Sequence, residues 1–223
     1  MSPTSVALRR SIGAGQMTVK ETFMNSTEIL AQFSQNRLDG EPVPEDLKIL
    51  LPHRDELAER TGIRMEWAEG WTPWLDTSYL SEDELRNPEI VANLRAIREV
   101  CRRIAFVAED QDDQCFGYWR GPTHRSVANS PLVVFDDEGE FHLCIASSFA
   151  EAILEREYGR DGFKKLRAWF RSLGIPIGWE TPSQLTYPHE KLAPKDLHRE
   201  LFERYRGEPS PTPDPTAAAG PSS

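Results

Sequence analysis

The chain has 223 residues and a formal charge of −10, with 36 acidic against 26 basic side chains. A field of that sign repels phosphate backbones and draws in basic partners, which argues against direct nucleic-acid binding and for a basic protein partner. No run of about 18 apolar residues is present, which excludes a membrane-spanning helix, and three cysteines are too few for a disulfide framework. The expected setting is the cytoplasm.

Residues 1–24 read as a leader. Arg9, Arg10 and Lys20 stand there, and Ser11 to Met17 breaks any apolar stretch a secretory signal would need, with Met17 and Met24 as alternative starts. Residues 25–206 are expected to form one folded unit. From Gly207 onward the sequence GEPSPTPDPTAAAGPSS offers no large apolar residue to bury, so 207–223 reads as a disordered tail.

Ser26 is placed to cap a first helix bearing Ile29, Leu30 and Phe33 on one face, ending near Asp39-Gly40. Pro44 opens a second helix with Leu47, Leu50 and Leu51; Pro52 interrupts it, and Gly62 closes a further turn or two. Trp67 to Tyr79, with Trp71 and Trp74 among Gly70 and Pro73, reads as an irregular segment packed on the core. Asn87-Pro88-Glu89 is a helix start, and Ile90, Val91, Leu94, Ile97, Val100 and Cys101 follow at helical spacing.

The period then changes. Ile104 to Ala108 and Cys115 to Trp119 make one expected hairpin; Leu132 to Phe135 and Phe141 to Ile145 make a second. Ser148 and Glu151 form a capping-box pair opening a helix through about Tyr158, and helices over 161–173 and 194–206 complete the chain. The order spells an α+β fold: an antiparallel sheet covered on one side by helices.

Two stretches, IAFVAEDQDDQCFGYWRGP from Ile104 to Pro122 and SPLVVFDDEGEFHLCIASSFAEAIL from Ser130 to Leu154, resemble the SUKH superfamily. In that family a strand, an acidic turn, a second strand near a Gly-Tyr/Trp element, a D-x-x-G turn and an SSF-x-E helix follow in this order. The resemblance implies a SUKH-like α+β sheet with helices, here with extra C-terminal helices, and a non-catalytic protein-binding role. Many members are immunity proteins that occlude a cognate toxin, often a nuclease; others are regulatory scaffolds. No family residue role is tied to a motif, so none carries over.

The candidate partner-binding residues are Glu109, Asp110, Asp112 and Asp113 in the first hairpin turn, Asp136, Asp137 and Glu138 in the second, and the aromatic anchors Trp71 and Trp74. Ordinary solvated turns, in which Asp is common, are the competing reading. Docking by the turns requires both at the same end of the sheet, and a ligand-sized cavity ringed by polar groups contradicts it. A calcium loop starting at Asp110 would put Cys115 at its sixth position and Gly121 at its twelfth, where Gly and Glu belong. His142, Cys144 and Cys115 lack a fourth zinc ligand and a C-x₂-C element. Gly13-Ala-Gly15 lacks a dinucleotide loop's third Gly. No catalytic residue, metal or cofactor is therefore assigned. A small hydrolase with an acidic pocket is the alternative from another class.

Overall fold

The computed structural model describes residues 26–66, 68–157, 159–181, 184 and 193–208. The expected leader, residues 209–223 of the expected tail, Trp67 and Tyr158 lie outside the described residues. Helices α1 (Ser26–Arg37), α2 (Glu45–Leu50) and α3 (Arg54–Thr61) come first, with a 3₁₀ turn at Leu51–His53 where Pro52 stops α2. Gly62 then takes the left-handed conformation that closes α3. The short strand β1 (Arg64–Met65) and helix α4 (Glu82–Arg86) had no strong sequence signal, being two and five residues long. Helix α5 (Pro88–Cys101) starts as expected, with the Asn87 side chain accepting from the Glu89 amide.

Strands β2 (Ile104–Glu109), β3 (Cys115–Trp119), β4 (Leu132–Phe135) and β5 (Phe141–Leu143) follow, then α6 (Phe149–Glu155), α7 (Arg160–Ser172) and α8 (Pro194–Arg206). The five strands pair in sequence order, all antiparallel, and the fold is α+β.

The expectation of a sheet covered on one side is corrected. Strands β2, β3 and β4 are buried along nearly their whole length. Ala105, Val107, Phe116, Tyr118, Leu132 and Val134 join one core with residues of α1, α2, α3, α6 and α7. Ile104, Phe106, Cys115, Trp119, Val133 and Phe135 join a second core with α5 and α8. The strand runs IAFVA, CFGYW and LVVF are apolar at successive positions, the pattern of strands with no wet face. Antiparallel pairing alone suggests one wet face, and the unbroken apolar runs overrule it.

A bulge at Val107 shifts the β2–β3 register between Phe106 and Ala108. Opposite it stands Gly117. A Cβ there would lie 2.5 Å from Ile104 Cγ2, 2.9 Å from the Ala105 carbonyl oxygen and 3.0 Å from Phe106 Cα. Two of those three atoms are backbone, so the strand itself would have to move. Gly117→Ala is expected to lower stability by about 1–3 kcal/mol in urea unfolding. Gly178→Ala, with open space around its Cβ position, is expected to change it by less than about 0.5 kcal/mol. Equal midpoints for the two variants would contradict this packing.

Asp46 of α2 is buried, and its Oδ2 accepts from the Ala150 amide at 3.1 Å in the first turn of α6. Burial pushes its pKa above the ordinary Asp value of 3.8, against the lowering effect of those amide bonds. A carboxyl whose native pKa is raised contributes most stability below its unfolded value and loses it as pH rises through the native one. Wild type is therefore expected to gain stability over Asp46→Asn as pH falls from neutrality toward 3.8. A pH-independent difference in urea midpoints contradicts the assignment.

Candidate functional site

In a meander the β2–β3 and β4–β5 turns emerge at the same end, and the register confirms it: Glu109, Cys115, Phe135 and Phe141 form one row across the sheet. The two turns are built alike. In each, the first Asp accepts two amides through Oδ1. Asp110 takes Asp112 N at 2.9 Å and Gln114 N at 3.0 Å; Asp136 takes Glu138 N at 3.1 Å and Glu140 N at 2.8 Å. The fourth residue has positive φ, Asp113 at 59° and Gly139 at 83°, which Asp tolerates and Gly prefers.

Each leading Asp also has its outer oxygen engaged. Asp110 Oδ2 accepts from Arg156 at 2.8 Å, and its side chain is only 6% exposed. Asp136 Oδ2 stands 2.8 Å from His142 Nε2. Glu109 is paired with Arg64 at 2.7 Å. Glu109 and Asp110 are thus committed to the fold and are not free docking charges, a correction to their expected role. Asp112 is exposed outside the cavity described next.

Asp113, Asp136, Asp137 and Glu138 line a groove of about 550 Å³. Trp74, Asp76, Tyr79, Glu84 and Glu89, from the segment leading into α5, line it as well, together with the apolar Ile90, Leu94, Ile97, Phe135 and Phe202. Of the acids in that segment, Asp76 closes the 3₁₀ turn at Pro73–Leu75, and Glu84 and Glu89 belong to helix starts. Ser81 and Glu84 form a reciprocal capping box, and Glu89 lies in the first turn of α5. Hydrogen bonds from Ser81 hold the Glu84 carboxyl below the usual range. Lys195, at 2.8 Å, does the same for Glu140 on the hairpin side. The two turns thus border a ligand-sized cavity, with Asp137 and Glu138 exposed at its edge.

Trp74 stacks on Phe106 with centroids 4.2 Å apart and meets Trp71 edge-on at 5.6 Å. Arg37 fixes this segment by donating to the carbonyls of Ala68 and Trp71 and lying over the Trp71 ring. Both indoles are half-buried; Trp74 borders the groove and Trp71 does not. Trp119 is fully buried.

Sequence reasoning missed that Asp76, Glu84, Glu89, Glu140 and the apolar lining belong to one site. The helix-start acids were visible, but nothing local placed them in one cavity with the hairpin. Cys115 and Cys144 point into opposite cores. Among the described residues no group of three or more His, Cys, Asp or Glu is placed to hold a metal ion, and no helix is long and apolar enough to cross a membrane. No family model, curated protein or solved structure matches the chain.

If the leading Asp builds the turn, Asp110→Ala is expected to cost about 1.5–3 kcal/mol, the range for hydrogen bonds to a charged group. Asp112→Ala and Asp137→Ala, both exposed, are expected to stay within about 0.5 kcal/mol. Equal losses for the three variants in denaturant unfolding would contradict the division.

Proposed function

We propose that the chain is a non-catalytic protein-binding module whose groove receives a basic, partly apolar segment of a partner protein. The observation that carries this reading is one cavity lined by carboxylates from the hairpin turns and from the segment leading into α5, together with apolar side chains. Acids at the rim accelerate encounter with a cation and select against anionic competitors. Burial of apolar side chains in the groove then sets the lifetime of the complex. A flexible Lys- or Arg-bearing segment satisfies both demands.

Within this reading, the resemblance to the SUKH superfamily favours an immunity protein of the cytoplasm that neutralises a basic toxin such as a nuclease. The occlusion expected of projecting turns is replaced by capture of a toxin segment in the groove. A regulatory scaffold with no toxin partner uses the same surface. The net charge of −10 argues against nucleic acid as the direct ligand.

A small hydrolase is the second reading, favoured by the size of the cavity. It asks for one carboxyl with raised proton affinity beside an ionised one. Among the lining acids, Glu84 and Glu140 are shifted downward instead, which supports binding over acid catalysis.

The test is to recover the partner by pull-down with the full chain and measure its association with wild type and with Asp137→Lys/Glu138→Lys. The double variant is expected to associate about tenfold or more slowly, with a flatter salt dependence. An unchanged on-rate removes the groove as the steering element. Rescue of cells expressing the recovered protein would specify immunity, and a non-toxic partner would specify a scaffold.

A further inference from the structure

The acidic groove has a neighbour of opposite sign. A depression of about 580 Å³ lies beyond Trp74, which lines both cavities. Four arginines border it, Arg37, Arg98, Arg102 and Arg120, with Asp39 as the single carboxylate. Arg120 is held by two carboxylates, Asp39 at 2.5 Å and Glu41, so the free positive charge rests on Arg37, Arg98 and Arg102. Glu99 is shared between Arg102 at 3.1 Å and Arg103 at 3.2 Å, one anion for two cations. Arg98 is exposed and forms no ion pair with the described residues. In a chain with ten excess negative charges, this is a local reversal of sign.

Helix α5 runs beneath both cavities. Glu89, Ile90 and Leu94 border the acidic one; Arg98, Cys101 and Arg102 border the basic one. The preference of helix ends for opposite charges supplies part of this polarity. Arg37 on one side, and Asp137 and Glu138 on the other, come from other elements and extend it beyond the helix. Trp74 borders both cavities and forms a saddle between them; its neighbours Trp71 and Leu75, the latter 41% exposed, line the basic side. At the α-helical rise, Ile90 and Cys101 are roughly 16 Å apart.

We propose, building on the protein-binding reading above, that the two cavities and the Trp74 saddle form one bipolar docking surface. Its occupant is a single partner segment with Lys or Arg near one end, apolar residues at its centre, and Asp or Glu near the other end, roughly 16 Å away. A uniformly basic segment of equal length would bring its second cationic end against Arg98 and Arg102. That like-charge contact is the element of the surface that rejects it.

The experiment is fluorescence anisotropy of the full chain with three labelled helical peptides sharing one apolar face. One is bipolar, one uniformly Lys/Arg and one uniformly Asp/Glu. Wild type is expected to bind the bipolar peptide about tenfold tighter than the basic one, a difference that one or two removed like-charge contacts supply. Arg98→Glu/Arg102→Glu is expected to reverse that order, and Arg98→Ala/Arg102→Ala to abolish the preference without adding charge. Both pairs lie at the surface, and unchanged circular dichroism will verify that they fold. If wild type binds the basic peptide at least as tightly, while Asp137→Lys/Glu138→Lys still weakens it, the bipolar surface is overturned and the acidic groove stands. If the basic and bipolar peptides are indifferent to every reversal, both readings are overturned.

Discussion

Strands β2, β3 and β4 carry apolar side chains on both faces, so each face has to be removed from water by something outside the sheet. Five helices cover one face, with Phe33, Phe149, Phe163 and Phe170 fully buried in the core they form with it. The other face is covered by α5, α8 and the irregular stretch through Trp71 and Trp74. That cover is incomplete. Trp74 sits on Phe106, while Ile90, Leu94 and Phe202 remain half-exposed beside Phe135. The groove is the part of a hydrophobic layer that the described residues leave open. Filling it would complete a burial that contributes on the order of 1.5–3 kcal/mol for each large side chain fully covered.

The acids around that opening fall into two kinds. Asp110 and Asp136 each hold two turn amides and a cation or His, and Glu109 holds Arg64. These carboxylates make the hairpin ends rigid and expend their charge doing so. Asp137 and Glu138 are carried outward on the same turn with their side chains exposed. A turn stiffened by its own first residue presents the later ones in fixed positions, which lowers the ordering cost of any complex they enter. Mutual repulsion among the exposed acids is tolerated because water screens it, and a cationic ligand removes it.

Much of the architecture was legible because single residues announce it. Asn87-Pro88, Gly62 and the strand runs mark their elements through local stereochemistry. The two acidic turns were also visible as turns. Their internal division was not, since Asp110 differs from Asp112 only through Arg156, a residue 46 positions away. The second cover on the sheet was readable from unbroken apolar strands, but antiparallel pairing suggested a wet face. Residues Glu84 and Glu89 looked like helix-start acids, and they are. Their second role arises from the path between Gly70 and Ser81, where no periodicity specifies position and where Arg37 and Trp74 help to fix the course.

The proposed ligand, a basic and partly apolar segment of a partner protein, is the class that the acids and apolar side chains lining the groove complement. The most direct measurement is a two-dimensional amide NMR titration of the full chain with a basic amphipathic peptide. The account predicts shifts concentrated at Ile90, Leu94, Gly139 and the Trp74 indole N–H, diminishing as salt is raised. Shifts clustered on the opposite helical layer around α6 and α7, with these four signals unmoved, would contradict it.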